Sequence, residues 1–305
     1  MKTIKIKAPA TVANLVCGFD VLGMALEHPQ DEMELTLLNK PQLIIQHKDK
    51  YGLPTTAEKN VAGVALLALM KAYEKPIGFK VVINKIIKPG SGLGSSAASA
   101  AGAVVAANKL LKNYFTKNEL VQFAMFGEEL ASGSKHADNI APCIYGGVCL
   151  IRSNHPLDII PLKTPKLFVT VVHPQIEIKT SEARAILPKE ISLKNAVKHW
   201  GNVAALVAGI SQNNPEIIAN SLRDDIIEPV RKKLIPGFDR VKKRSLTVGA
   251  LGGGISGSGP SIFMFSTTKK IAEKVEKEMI EIYREFNIEA KTYVSKISKQ
   301  GVSEV

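Results

Sequence analysis

Cysteine is scarce in this chain: Cys17, Cys143 and Cys149 are the only three in 305 residues. None forms a CxxC pair, and an odd set without metal-ligand spacing argues against a disulfide framework and against a zinc site. They read as small, reduced core residues. Aromatic side chains make up only 6% of the chain. They do not interleave with the basic runs Arg231-Lys232-Lys233 and Lys242-Lys243-Arg244, so platforms for stacking nucleic-acid bases are missing. No apolar run reaches the ~18 residues that a bilayer span requires; residues 61–70 come nearest and are interrupted by glycine. The opening MKTIKIKAPAT alternates charged with β-branched residues and lacks the continuous apolar segment of a signal peptide. A cytoplasmic protein with no membrane association is expected.

Acidic residues are in deficit, 28 against 40 basic ones, for a net charge of +12. That balance suits a solvated lysine-rich surface or an anionic partner. With base-stacking aromatics missing, a phosphorylated small molecule is the expected anion, and nucleic acid is not expected as a partner.

At 45% apolar residues the chain has material for a sizeable core, and a length of two typical domains (~150 residues each) suggests two lobes. Apolar spacing predicts strands at 3–8, 33–38, 43–46 and 79–87, and helices at 60–71 and 116–130. A further strand is predicted near 147–152. The prolines at 156, 161 and 165 mark residues 154–166 as the crossing between lobes. Beyond it come a strand at 167–173, a helix at 193–210, a strand at 261–266, an amphipathic helix at 269–286 and a last strand at 288–294. The mixture lacks the regular alternation of a doubly wound sheet, so the fold class is α+β. Residues 1–160 are expected to form an N-terminal nucleotide-binding lobe and 161–305 a lobe that completes the substrate site.

The most informative stretch is Lys88-Pro89-Gly90-Ser91-Gly92-Leu93-Gly94-Ser95-Ser96-Ala97-Ala98. Its glycines allow a tight bend on which consecutive backbone N–H groups converge on an anion. Ser95 and Ser96 are positioned to cap a helix whose dipole favours phosphate. The loop lacks the Gly-Lys-Ser/Thr ending of a Walker A sequence, and serine replaces the third glycine of a dinucleotide fingerprint. A GxGxxG match does occur at 252–257, but Pro260 and a β-like run follow it, so no helix is expected there.

With this loop, two other segments complete a resemblance to the GHMP small-molecule kinases. The first is Pro9-Ala-Thr-Val-Ala-Asn-Leu-Val-Cys-Gly-Phe-Asp-Val-Leu-Gly23, the last Gly249-Ala-Leu-Gly-Gly-Gly-Ile-Ser-Gly-Ser-Gly-Pro260. Within that superfamily the first segment, His-Ala-Asp-Asn-Ile-Ala-Pro at 136–142 and the stretch at 179–188 are most similar to the homoserine kinases. The chain departs from the usual pattern at Val16, Cys17 and Gly253 without losing a charged or hydroxyl group.

The resemblance implies a two-lobed fold, with an N-terminal lobe like domain 2 of ribosomal protein S5 and a ferredoxin-like C-terminal lobe. It implies ATP and Mg2+ as co-reactants, L-homoserine as the phosphate acceptor and a homodimer as the assembly. It places Ser96 and Glu128 on the magnesium and Asn60 at the adenine. Asn14, Asp20, His136, Thr180, Arg184 and Arg231 fall on the amino-acid substrate, and Asp138 and Asn139 beside its hydroxyl.

Residue chemistry alone leaves ordinary roles open: a helix N-cap for Asn60, a turn for Asp20, a solvated helix position for Glu128, surface arginines for Arg184 and Arg231. For the chemistry, positioning, magnesium and loop amides are expected to carry most of the rate, with Asp138 the candidate base if one is used. The competing readings are a GHMP kinase for another alcohol, such as mevalonate or shikimate, and a non-catalytic nucleotide or metabolite sensor.

Overall fold

The structure, a computed structural model, describes residues 2–305. In chain order the first half holds β1 (Thr3–Ala13), β2 (Leu22–Leu38), β3 (Leu43–His47), α1 (Val61–Ala72), β4 (Gly78–Asn84), α2 (Ser95–Leu110), α3 (Lys117–Ser132), α4 (Ile140–Tyr145), β5 (Val148–Asn154) and β6 (Leu157–Leu162). The second half adds β7 (Phe168–Pro174), α5 (Thr180–Ala185), α6 (Leu193–Gln212), α7 (Pro215–Ser221), α8 (Glu228–Arg231), α9 (Phe238–Thr247), β8 (Gly252–Ile255), β9 (Ile262–Ser266), α10 (Lys269–Glu285), β10 (Ala290–Lys296) and β11 (Ser303–Glu304).

Among the described residues the strands form two sheets. The first has seven strands in the order β11-β1-β2-β4-β3, with β5 pairing to β2 and β6 to β5. Alternation drives β1: Ile4, Ile6 and Ala8 point into the core while Thr3 and Lys5 face solvent. Helix α2 lies on β1 and β2, and its small residues permit the close approach. At Gly102 an added Cβ would stand only 3.2 Å from Ile6 and 3.3 Å from Met33. Helix α3 begins with a reciprocal capping box between Thr116 and Glu119 and stops at Gly133, whose φ is +80°.

The second sheet is antiparallel throughout, in the order β10-β7-β9-β8. Its strands alternate between two cores. Val169, Val171, Phe263 and Phe265 join the large core shared with the first lobe. Val172, Ile262 and Met264 face Val275, Met279 and Ile282 of α10. An antiparallel four-stranded sheet backed by two helices is what the resemblance implied for this lobe.

Three expectations need correction. Residue 160 lies inside β6, which belongs to the first sheet; the chain leaves that sheet only after Leu162, and β11 returns to pair with β1. Ser95 and Ser96 do not cap α2: the N-cap position is Gly94, at φ +65°, and both serines stand inside the first turn. The strand expected at 79–87 ends at Asn84, where the chain turns to bond Asp31 and Asp49. The helix expected at 181–186 is α5, whereas the short helices α4, α7, α8 and α9 and the strands β6, β8 and β11 carry too few residues for periodicity to reveal.

Candidate active site

A cleft of about 440 Å³ opens between the lobes. The glycine bend forms its floor. Gly92 sits at φ +77°, and a Cβ there would lie 2.6 Å from the carbonyl oxygens of both Ser256 and Gly259. A side chain at Gly94, also left-handed, would stand 1.9 Å from the Thr11 hydroxyl oxygen. The three glycine-containing segments of the sequence therefore meet at one place. Ser256 donates to the Gly92 carbonyl and Ser261 to that of Ser91, each at 2.6 Å. Asn14 donates to the Gly257 carbonyl at 2.9 Å.

Gly90, Ser91, Gly92, Gly94, Ser95 and Ser96 line the cleft, as does Pro89. Of the other loop residues singled out by sequence, Lys88 turns away to bond Gln175 at 2.9 Å. Leu93, Ala97 and Ala98 are buried in the core beneath. Among the lysines that do line the cleft, beside Lys59 and Lys179, is Lys85. It is buried, ion-pairs with Asp31, and donates to the Ser95 carbonyl at 2.7 Å and the Ser99 hydroxyl at 2.9 Å. Asp31 in turn accepts from the backbone N–H of Ile86 and Ile87. Periodicity could not have found this pair, because its partners are 54 residues apart.

On the wall formed by α3, Ser96 donates to the Glu128 carboxylate at 2.9 Å. Burial pushes the Glu128 carboxyl up, against hydrogen bonds from Ser96 and Ser132 and the charge of Arg184. No Lys or Arg forms an ion pair with it among the described residues. One hydroxyl and one carboxylate are hard oxygen donors of the kind that hold a magnesium ion together with phosphate oxygens and water. No group of three or more His, Cys, Asp or Glu that could enclose a metal occurs among the described residues.

Both charge signs gather at one end. Arg184, on α5, makes a bidentate pair with Asp20 at 2.9 and 3.1 Å. Arg231, on α8, is 3% exposed and donates to the carbonyls of Ala183 and Gly257. Both guanidinium groups lie over the Phe19 ring, at 5.4 and 4.9 Å from its centroid. Burial, then repulsion from Arg184, lowers Arg231 to about 10, so it stays charged at neutral pH. His136 is hydrogen-bonded to Ser134 through Nε2, and its Nδ1 stands 3.9 Å from Asp20. Burial holds the imidazole below its ordinary range. Thr180 is 3.2 Å from the Ser258 hydroxyl across the cleft. Thus Asn14, Asp20, His136, Thr180, Arg184 and Arg231 are brought together. Asp20 and Arg184, however, satisfy each other.

Asp138 and Asn139 precede α4. Burial, followed by the nearby charges of Asp20 and Glu128, pushes the Asp138 carboxyl up to about 8. At neutral pH it is mainly protonated. Asn139, which lines the cleft, accepts from the Thr11 hydroxyl at 2.7 Å through Oδ1. Another part of the cleft is lined by His47, Leu53, Pro54, Lys59, Val61 and Ile83 together with Asn60. Asn60 is indeed the N-cap of α1, accepting from Ala62 and Gly63.

The sequence matches two family profiles, the GHMP kinases N terminal domain over residues 60–147 and the GHMP kinases C terminal region over 203–285. It is 46% identical to the homoserine kinase of Chloroherpeton thalassium, over 99% of both chains. The structure superposes on that of homoserine kinase from Cytophaga hutchinsonii with a TM-score of 0.96 and 47% identity, covering 100% of this chain and 98% of the other. Galactokinase of Lactococcus lactis shares the fold at a TM-score of 0.74, with 15% identity.

Proposed function

This chain belongs to the GHMP kinases, within their homoserine kinase branch, and from that premise we propose that it transfers the γ-phosphoryl group of ATP to the side-chain hydroxyl of L-homoserine, giving O-phospho-L-homoserine and ADP for threonine biosynthesis. One observation carries the reading at the level of the site. An anion-binding bend and a paired Arg and Asp with a second buried Arg line the same cleft, so a triphosphate and an amino-acid zwitterion have adjoining places.

In phosphoryl transfer the bond from γ-phosphorus to the bridging oxygen breaks as the bond to the acceptor hydroxyl oxygen forms, and the hydroxyl proton passes to an oxygen of the transferred phosphoryl group and from there to water. The loop amides from Gly90 to Ser96 hold the phosphates and neutralise charge as it builds on the leaving oxygen. Ser96 and Glu128 supply the oxygens for magnesium, which when bound neutralises phosphate charge. Arg184 and Arg231 take the substrate carboxylate, for which the guanidinium fork suits better than an ammonium group. Asp20 takes the ammonium, Asn14 and His136 border the same site, and the Asn139 amide orients the hydroxyl. A largely protonated Asp138 makes a poor base, which places most of the rate in positioning and electrostatics. Mevalonate and shikimate lack an ammonium, so with either bound Asp20 would face no substrate cation. Homodimeric assembly and a cytoplasmic setting rest on the family resemblance; sedimentation velocity and cell fractionation test them.

ADP release with L-homoserine, L-serine, mevalonate and shikimate, together with phosphorus NMR of the product, tests the reading. Turnover is expected with L-homoserine, and a preference for either acid without an amine would overturn it. Glu128→Gln should lower kcat by about 10²–10³ and flatten its dependence on magnesium; an unchanged magnesium titration would reject the ligand assignment.

A further inference from the structure

In the cleft the Asn60 carboxamide is fully consumed by the protein. Its oxygen accepts from the N–H groups of Ala62 at 3.0 Å and Gly63 at 3.1 Å. Its nitrogen donates to the Pro54 carbonyl at 2.6 Å and lies 3.1 Å from His47 Nε2. An amide nitrogen only donates, so Nε2 must accept and the ring proton must sit on Nδ1. There it donates to Asp49 at 3.2 Å. Asp49 is itself held by the N–H groups of Tyr51 at 3.1 Å and Lys85 at 3.3 Å. Burial alone would raise the Asp49 carboxyl, but these hydrogen bonds and the imidazole outweigh it and bring it below the usual range. The His47 and Asp49 side chains are 9% and 3% exposed.

The chain Asp49–His47–Asn60–Pro54 thus pins the loop between β3 and α1 against the end of β4. That loop supplies Leu53 and Pro54 to the wall. With phosphates over the glycine bend and the acceptor at the arginine end, the base of the nucleotide falls between this wall, Val61 and Ile83. We propose that His47, fixed as its Nδ1–H tautomer by Asp49, is a positioning residue for the nucleotide base. It shapes the base pocket by holding Asn60, whose own polar atoms are spent, so the base is selected by fit to the wall rather than by a hydrogen bond from the Asn60 carboxamide. This inference rests on the kinase reading only in taking the ligand to be a nucleotide.

Calorimetric titration of the whole chain with ADP, and separately with inorganic pyrophosphate, tests it without any need for an acceptor. Pyrophosphate reports the glycine bend alone. His47→Ala should weaken ADP about tenfold and leave pyrophosphate affinity unmoved. His47→Gln, whose amide oxygen can accept from Asn60, should recover most of the loss. Asp49→Asn, which frees the tautomer, should weaken ADP about threefold, again without affecting pyrophosphate. In steady-state kinetics the KM for ATP should rise while that for homoserine moves less than about twofold. Parallel losses for ADP and pyrophosphate, or ADP affinity untouched in Asp49→Asn and His47→Gln alike with no loss in His47→Ala, would overturn the proposal. Should His47→Ala not fold, the Asp49→Asn comparison decides alone. Wild-type protein that binds neither probe would instead reject the kinase reading.

Discussion

Asp138 shows how one buried side chain can couple stability to pH. Its carboxyl titrates at about 8 in the folded chain, against about 3.9 when unfolded. Between those values the native state holds a proton that the unfolded state has released, so stability falls as pH rises through this window. Asp138→Asn carries no such proton, and its unfolding free energy should depend less on pH between about 4 and 8. Denaturant titrations at both ends of the range check this, and curves parallel to the wild type would contradict it. The same variant should lose well under the ~10⁴-fold in kcat expected where an essential base is removed. Arg231 poses a different test. It anchors α5 through Ala183 and faces the substrate end, so Arg231→Leu should raise the homoserine KM far more than the ATP KM. Leaving one partner of a buried pair unmatched costs about 2–5 kcal/mol. Equal effects on both substrates would reject the assignment.

The glycine bend and α2 are the elements on which binding turns. At Gly92 the atoms that would oppose a Cβ are backbone carbonyls of the segment leading to Pro260, which have no rotamer by which to retreat. Gly92→Ala therefore pushes the bend off that segment and strains a left-handed residue. The expected outcome is loss of ADP binding by at least about tenfold with far-ultraviolet circular dichroism preserved. ADP affinity equal to wild type would show that the contact between the two segments does not shape the site. Helix α2 could come this close to the sheet only because the residues from Ala97 to Ala107 are small.

Across the whole molecule the two lobes share one apolar core. Leu22, Val148 and Ala141 of the first lobe belong to the same cluster as Val169, Leu206, Phe263 and Phe265 of the second. The C-terminal residues return to the first sheet, with Val302 donating to the Cys143 carbonyl at 2.8 Å and β11 pairing with β1. The lobes should consequently unfold together, as a single calorimetric transition. ADP at about 100 times its Kd should stabilise that whole transition by about 2.7 kcal/mol. Two separable transitions, only one of them moved by nucleotide, would contradict a shared core.

The sequence by itself determined the α+β class, the order of the motifs, the glycine-rich bend and the small-residue helix behind it. Each depends on local backbone freedom, side-chain volume or periodicity, which neighbouring residues set. Only the tertiary structure decided that Asp20 meets Arg184 across 164 residues, that Lys85 rather than Lys88 reaches the cleft, and that Ser96 points at Glu128 instead of capping its helix. It also decided that the Asn60 amide donates to His47, and that the last strand closes the first sheet. Such pairings depend on distances through space, and hydrogen bonds and ion pairs form between whichever groups folding brings within about 3 Å of each other, whatever their separation along the chain.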